Sequence, residues 1–127
     1  MDISQEFAAL NSRFVDTVND HDAHEWASLF AEDAVLIPAG QPSVTGRKGI
    51  EEWADVATKI WNHLEIQQGP CTAEGNVAWE HGTWTGNITV ADRQTMDISG
   101  SFLLIADKTG PTLRIKAHTW SVNSPPQ

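Results

Sequence analysis

The sequence contains one cysteine, no tyrosine and few cations. A single thiol, Cys71, cannot close an internal disulfide, and alone it cannot form a thiolate metal site. Eight Lys and Arg stand against seventeen Asp and Glu, which gives the 127 residues a formal charge of −9. Because no basic cluster exceeds Arg47-Lys48, the chain lacks the positive surface that binds nucleic acid or anionic lipid. We expect neither nucleic acid nor a membrane as a partner.

Long apolar runs are also missing. No stretch of eighteen apolar residues is present, and residues 1–4 lead into an amphipathic pattern instead of a charged and then apolar leader. These absences predict a soluble, cytoplasmic protein. The length fits one domain over residues 1–127, with residues 124–127 as a frayed tail. A domain of this size buries roughly two thirds of its unfolded surface, which is enough for a core and one pocket.

The first half of the chain has helical periodicity. Apolar residues recur at spacings of three and four over residues 3–19, 23–31 and 47–61, which predicts three helices. Between the second and third helices, the apolar run 34–37 stops at a proline and predicts a short strand, with a return strand at 44–45. Three helices therefore precede every long strand.

The second half of the chain alternates with period two, as strands do. Turn residues at 74–76, 91–94 and 108–111 divide it into four segments. The predicted strands begin near residue 63 and then cover residues 77–90, 95–107 and 112–123. Helices followed by antiparallel strands are typical of an α+β domain.

Alternation within the strands predicts which side chains face the interior. In the last strand the more apolar set, which we expect to face inward, is Leu113, Ile115, Ala117 and Thr119. The opposite sets of two strands combine aromatic area with charges of both signs, and they contain Glu80, Gly82, Trp84, Lys116, His118 and Trp120. An exposed face of this composition is typical of an interface, so we expect a homodimer through the outer face of the sheet.

Three stretches of the chain resemble a known superfamily. The runs FVDTVNDHDAHEWASLF, LFAEDAVLIPAG and GNVAWEHGTWT together resemble the nuclear transport factor 2-like superfamily, in particular its SnoaL-like and ketosteroid isomerase-like members. The match extends from about Phe7 to Val122. The resemblance implies a cone-shaped α+β fold, cystatin-like, in which three N-terminal helices cover the concave face of a strongly curved antiparallel sheet. It also implies a pocket inside the cone and a homodimer through the convex face.

The resemblance does not extend to the proton-transfer residues of ketosteroid isomerases. Those enzymes carry a general-base Asp directly before the proline of the first strand, where this chain has Ile37. Their tyrosine donor on the first helix corresponds to Phe14, and the partner Asp on the third long strand would fall near Ser101 or Phe102. We therefore do not expect ketosteroid isomerisation.

The aromatic residues predict an apolar pocket. Six Trp and four Phe suit a deep cavity, whereas the lack of tyrosine removes the phenol donor that many such pockets direct at a carbonyl oxygen. We expect a small hydrophobic or aromatic molecule to contact these residues: Phe14, Trp26, Ile37, Trp53, Trp61, Gln68, Trp79, Thr83 and Thr119.

His81 and Asp97 are the candidate catalytic residues. His81 shares strand parity with Val77 and Trp79, and if that parity faces the pocket the imidazole could act as a general base. Asp97 is the only carboxylate inside the third long strand and is the candidate partner of His81. A histidine satisfied in the core or exposed on the convex face is the competing interpretation.

The histidines do not predict a metal site. His21 and His24 are three residues apart, but Asp22 fits a helix cap and no third ligand follows at a defined spacing. We predict no metal and no cofactor.

Two functions remain open at the level of the sequence. The first is an enclosed pocket that binds a small hydrophobic or aromatic molecule and acts on it by cofactor-independent acid-base chemistry of an isomerase, cyclase or hydrolase type. The second is a non-catalytic ligand-binding or dimerisation module on the same fold. Hydrogen-bonded polar groups in the pocket favour the enzyme, and a pocket filled by its own Trp side chains favours the module.

Overall fold

A computed structural model describes residues 2–123, in which three α-helices and six β-strands account for most of the chain. The predicted frayed tail, residues 124–127, lies outside the described residues. The elements are α1 (Ile3–Asn19), α2 (Ala23–Ser28), β1 (Phe30–Ile37), β2 (Val44–Thr45), α3 (Arg47–Ala57), β3 (Trp61–Glu74), β4 (Val77–Thr89), β5 (Thr95–Asp107) and β6 (Arg114–Val122). None of the described helices is both long and apolar enough to cross a membrane.

The six strands form one curved, open sheet in the order β2-β1-β6-β5-β4-β3. Strands β3 to β6 pair antiparallel with their chain neighbours, as predicted. β1 instead pairs parallel with β6, with Leu36 opposite His118, so the sheet is mixed and the prediction of a purely antiparallel sheet is corrected. The predicted α+β class is confirmed. The helices cover the concave face, and the core lies between them and the sheet.

Helix α1 follows from local signals in the sequence. Asp2 caps it by accepting a hydrogen bond from the Gln5 backbone N–H at 2.9 Å, and the Gln5 side chain accepts one from Asp2 in return. The buried stripe consists of Phe7, Leu10, Asn11, Phe14 and Val18. The predicted bounds of this helix are confirmed.

The other two helices end earlier than their apolar periodicity predicts. α2 stops at Ser28 because Phe30 already pairs with Ile115 of β6. α3 stops at Ala57, and Trp61 pairs with Ile88 as the first residue of β3. In both places pairing in the sheet overrides helical spacing, which a single sequence does not reveal.

The two faces of β4 are the reverse of those predicted. Ala78, Glu80 and Trp84 are buried under the helices, whereas Val77 and His81 are exposed on the convex face. The prediction took the larger apolar side chains as the inner set and placed the carboxylate in water. The helices instead cover small residues, a tryptophan and one carboxylate that has a partner on α1.

A β-bulge in β6 changes the direction of its side chains. Ile105 of β5 pairs with Ala117, and the next residue, Ala106, pairs with Ile115. Lys116 is therefore an extra residue in the ladder, and the alternation shifts by one beyond it. The bulge separates two halves of β6 that have opposite parity.

The predicted inner face of β6 is consequently right only before the bulge. Leu113 and Ile115 are buried as predicted. Thr119 lies opposite the exposed Leu103 on the convex face, whereas His118 lies opposite the buried Leu104 on the concave face. The correction also moves Ala117 outward, and it moves Trp120 inward, opposite Phe102.

Gly100 on β5 lies against Trp84 and the backbone of β6, so a larger residue should not fit at this position. A methyl group at this position would lie 2.9 Å from Trp84 Nε1 and would overlap the backbone oxygen of Ser121. We expect Gly100→Ala to lower the free energy of unfolding by about 1–3 kcal/mol, as overpacking does. Urea unfolding monitored by circular dichroism measures the change. Gly110→Ala is the control, because nothing lies closer than 3.8 Å to a methyl group there. Equal midpoints for the two variants would contradict the expectation.

Candidate functional site

A cavity of about 60 Å³ lies between the helices and the concave face of the sheet. All three helices and strands β3 to β6 contribute side chains to its wall. We call it the tryptophan cavity, and it is lined by Phe14, Val18, Trp26, Trp53, Ala57, Thr58, Trp61, Leu64, Ile66, Trp84, Phe102, His118 and Trp120.

Five of the six tryptophans of the chain line this cavity. Trp53 links two others, with its ring centroid 5.9 Å from that of Trp26 and 5.7 Å from that of Trp120. On the other side, Trp61 and Trp84 meet edge to face at 5.7 Å. These separations lie within the range of favourable ring pairs, so the wall is built largely of interlocked indoles.

Three residues of the wall each have a buried polar atom without a hydrogen-bond partner among residues 2–123. The atoms are Trp26 Nε1, Trp84 Nε1 and His118 Nδ1. By contrast, Trp53 Nε1 donates to Gln41 Oε1 at 3.0 Å. Buried polar groups are nearly always paired in native proteins, so three unpaired ones in residues that line one apolar cavity are unusual.

His118 is the only ionisable residue in the wall of the tryptophan cavity. Its ring is surrounded by Phe14, Phe102 and Trp120, at centroid distances of 5.1, 6.2 and 5.4 Å. Burial among these rings lowers the pKa of His118 from 6.5 to about 4, because the charged form loses its hydration. The imidazole is therefore neutral at physiological pH, with one nitrogen that donates and one that accepts.

The cavity wall offers no ligand set for a metal ion. In the chain between residues 2 and 123, no three His, Cys, Asp or Glu side chains come close enough to hold one. Of the two histidines considered from the sequence, the exposed His24 pairs with Glu51 through Nδ1 at 2.9 Å, and the carboxylate raises the pKa of His24. The prediction of no metal remains a prediction.

Comparison with known families identifies the fold family of this chain. The family model for the SnoaL-like domain matches residues 12–119. The chain belongs to the SnoaL-like domain family. No curated protein matches it. The predicted superfamily is thus confirmed, although the members of one fold family carry different activities and the function must be argued from the site.

Solved structures share the fold of this SnoaL-like domain at low sequence identity. A ketosteroid isomerase-like protein from Erwinia carotovora atroseptica has a TM-score of 0.83 and 16% identity, covering 93% of this chain and 94% of the other. A protein of unknown function from Mycobacterium tuberculosis has a TM-score of 0.80 and 20% identity, covering 96% and 77%. An uncharacterised protein with a cystatin-like fold from Caulobacter vibrioides has a TM-score of 0.82 and 15% identity, covering 96% and 90%.

Four of the predicted ligand-binding residues do line the tryptophan cavity: Phe14, Trp26, Trp53 and Trp61. The first three lie on helices, where the apolar stripe identifies the inner face. That they contact a ligand stays a prediction. Because all four residues line the same cavity, the prediction concerns a single binding site.

The expectation that His81 faces the pocket is wrong. Its side chain is exposed on the convex face, opposite Leu103 of β5. Asp97 lies opposite Asn87, six residues farther along β4 or about 20 Å away, and accepts a hydrogen bond from Asn87 Nδ2 at 2.8 Å. His81 and Asp97 therefore do not meet, and neither reaches the cavity.

Four other predicted site residues also lie on the convex face. Trp79 and Thr83 share the parity of His81 on β4. Ile37 lies opposite Thr119, whose hydroxyl donates to the Ile37 backbone oxygen at 3.0 Å. The corrections at Trp79, Thr83 and Thr119 share one cause, because the inner faces of β4 and β6 were taken from apolar size and unbroken alternation.

Gln68 has a structural role instead of a place in the cavity. Its side-chain nitrogen donates to the Ser4 backbone oxygen at 3.0 Å and to Cys71 Sγ at 3.2 Å. The amide thereby links β3 to the start of α1. It is not among the residues that line the tryptophan cavity.

Nine of the thirteen wall residues are absent from the predicted ligand-binding set, among them Trp84, His118 and Trp120. All three were assigned to the outer face. For His118 and Trp120 the deciding feature is the bulge at Lys116, which has no signature in the sequence. For Trp84, the glycine opposite it, Gly100, was a usable signal, because a small residue accommodates a large ring packed over it.

His118 should stay uncharged well below the usual pKa of a histidine. Its folded pKa of about 4 lies below the ordinary 6.5, so its burial lowers stability as pH falls from 6.5 to 4. The difference corresponds to roughly 3 kcal/mol. We expect the ring signals of His118 in NMR spectra to titrate near 4. We also expect His118→Phe to remove this loss of unfolding free energy in acid. Ring signals that titrate near 6.5 would contradict both expectations.

Proposed function

We propose that this SnoaL-like domain binds a small, uncharged and largely apolar molecule in the tryptophan cavity. The observation that carries the proposal is that three residues of a mostly hydrocarbon and aromatic wall, Trp26, Trp84 and His118, each have a buried polar atom without a partner among the described residues. Cavities that stay empty and dry are lined by apolar groups alone. Polar atoms left without partners fit a ligand that supplies them.

The chemistry of the wall restricts the ligand. It has no charged side chain, since His118 is neutral, so a carboxylate or ammonium group inside the cavity would lose its hydration without compensation. Each indole N–H is a donor only and needs an acceptor such as a carbonyl or ether oxygen. The indole faces favour a planar ring as the apolar part. An aromatic ketone has these three properties.

The cavity must widen when such a ligand enters. Its volume of about 60 Å³ is smaller than the ~150 Å³ of a cavity that holds benzene. Trp26 and Trp84 are buried and fixed by packing, whereas Trp53, Trp61 and Trp120 are each partly exposed. We propose that one of the partly exposed rings turns outward on binding. Trp53 is tied to Gln41 by a hydrogen bond between groups at the protein surface and can be released without unpairing a buried group.

Acid-base catalysis on the bound molecule is the second candidate function, and the observation that favours it is the neutral imidazole of His118 in the wall. A neutral histidine can accept a proton, but a pKa of about 4 makes it a weak base. No carboxylate orients it, since its Nδ1 is unpaired. The arrangement therefore supports binding better than proton transfer.

Acetophenone and ethylbenzene form a matched pair of probes for this proposal, because they differ in the carbonyl group. We expect acetophenone to bind more tightly, with quenching of tryptophan fluorescence. We expect at least one of Trp26→Phe and Trp84→Phe, which remove an N–H and keep a ring, to weaken acetophenone binding about 5- to 10-fold. That loss is the worth of one neutral hydrogen bond, about 1 kcal/mol. Binding of ethylbenzene should change little.

Trp79→Phe is the control for this titration, because Trp79 lies on the convex face and should leave both affinities unchanged. Failure of both probes to bind, or an equal loss of both in the variants, would sink the proposal. The same ketone tests the second candidate. Deuterium exchange of its methyl protons in D₂O, abolished by His118→Phe, would favour catalysis over binding alone.

We also propose that two copies of the chain pair through the convex face of the sheet. Its inner strands carry exposed apolar side chains: Leu103 at 40% and Ile37 at 47% exposure lie in one row across β5, β6 and β1, and Val77 at 39% lies four residues from that row along β4. An apolar patch of this kind on one side of a sheet is self-complementary about a twofold axis, and the superfamily resemblance implies the same arrangement. The residues first expected at this interface, Trp84, His118 and Trp120, are instead inside the cone.

Leu103→Glu should dissociate the dimer. The substitution places a charge on the strand at the centre of the patch, where it would be buried without a partner. We expect the sedimenting mass in analytical ultracentrifugation to fall by about half. Val56→Glu is the matched control, because Val56 is 71% exposed on α3, away from the sheet, and should keep the dimer. A monomeric wild type, or identical sedimentation of the two variants, would count against the proposal.

A further inference from the structure

One carboxylate is completely buried on the concave face, outside the wall of the tryptophan cavity. Glu80 on β4 has 0% exposure, and its only hydrogen-bond partner in the described chain is the side-chain amide of Asn11 on α1. Asn11 Nδ2 lies 2.7 Å from one carboxylate oxygen and 3.2 Å from the other. One nitrogen thus serves both oxygens of a group that, if ionised, could accept several bonds.

In the part of the chain that the structure describes, the neighbours of Glu80 in the sheet supply no positive charge to balance an ionised form. The residues opposite it in the sheet are Cys71 on β3 and Leu104 on β5, and His118 lies beyond Leu104 in the same row. A thiol is never cationic, and burial keeps His118 neutral. No residue in this row of the sheet therefore carries a positive charge that could pair with an ionised Glu80.

Helix α1 does not supply a charge either. Its buried stripe is apolar apart from Asn11. Its charged residues Arg13 and Asp16 are exposed, and Glu6 pairs with Lys108 at 3.8 Å. A carboxylate in this position would be a buried charge held by one neutral amide, which is an unfavourable arrangement.

Asn11 has an unpaired acceptor atom that a protonated Glu80 could donate to. Its Oδ1 atom is buried and has no donor. A protonated carboxylic acid carries an O–H donor beside a carbonyl acceptor, and a primary amide carries the complementary pair. The acid and the amide can form two reciprocal hydrogen bonds, O–H to Oδ1 and Nδ2–H to the acid carbonyl, after a small rotation of the amide. An ionised carboxylate can form only the second kind.

We propose that Glu80 is held in the folded protein as a protonated carboxylic acid, paired reciprocally with Asn11, and that loss of this proton weakens the attachment of α1 to the sheet. The proposal goes beyond the binding function and does not depend on a ligand. It concerns the cavity nonetheless, because Phe14 lies one helical turn after Asn11 and forms part of the wall. Loss of the proton should therefore change the position of this part of the cavity wall.

The direction of the pKa agrees with this geometry. Burial raises the pKa of Glu80 from 4.5 to about 7, opposed by the hydrogen bond from Asn11. A folded pKa above the unfolded one means that the folded state binds the proton more tightly. The contribution to stability is complete below pH 4.5 and is lost as the pH rises through 7. Glu80 would therefore change its charge within the physiological range.

Glu80→Gln tests the proposal, because glutamine reproduces the donor and acceptor of the protonated acid at every pH. The unfolding constant of the wild type divided by that of the variant should rise on the order of 100-fold between pH 4 and pH 8, since each pKa unit corresponds to tenfold. The ratio cancels the titration of the other groups, His118 included. Glu52→Gln, an exposed substitution on α3, is the charge-matched control and should show no such rise.

A direct titration provides a second and independent measurement. The side-chain carboxyl carbon of Glu80, labelled with ¹³C-glutamate and assigned from its absence in Glu80→Gln, should titrate near 7 in the wild type. If the variant does not fold, the wild-type signal can be assigned by its proximity to Asn11. A carboxyl carbon that titrates near 4.5, or a stability ratio independent of pH, would overturn the proposal. Both measurements use the protein without ligand, so they are independent of the outcome with acetophenone.

Discussion

The packing of α1 against the concave face of the sheet is the contact on which the rest of this SnoaL-like domain depends. Phe7 and Leu10 are fully buried there, and Phe14 continues the same stripe into the cavity wall. Each buried aromatic or leucine side chain stabilises the fold by about 1.5–3 kcal/mol relative to an exposed one. Because a curved sheet leaves little room on its inner side, the helix tolerates no charge in this stripe. The one polar residue that it carries, Asn11, is used to satisfy Glu80 across the interface.

The bulge in β6 determines what the cavity can do. Without the extra residue Lys116, unbroken alternation from Ile115 would direct Ala117 and Thr119 inward and leave His118 in water. The part of the wall that β6 contributes would then have no aromatic ring and no titratable group. With the bulge, a neutral imidazole and the seventh Phe or Trp ring of the wall, that of Trp120, reach the interior beside Trp53. One inserted residue thus supplies both the polarity and part of the shape of the candidate site.

Structural features could be predicted from the sequence where the residues that determine them lie within one segment of the chain. Helix α1 was predictable because Asp2, Gln5 and an apolar stripe all lie within the segment that they define. Three aromatic residues of the cavity were predictable for the same reason, since helical stripes identify an inner face. The inner face of β4 was not, because the burial of Glu80 depends on a partner 69 residues away in the sequence. His118 was missed because a bulge is a property of the paired strands and not of either one alone.

An acid and a base lie in one row of the sheet, Glu80, Leu104 and His118, in an uncharged interior. Their protonation changes when the chain folds. Between pH 4.5 and 6.5 the unfolded chain carries Glu80 ionised and His118 protonated, whereas the folded chain carries Glu80 protonated and His118 neutral. The number of bound protons is the same in both states. Folding in this window therefore amounts to a proton transfer from a histidine to a glutamate of the same molecule. The heat of folding should then not depend on the ionisation enthalpy of the buffer through these two groups.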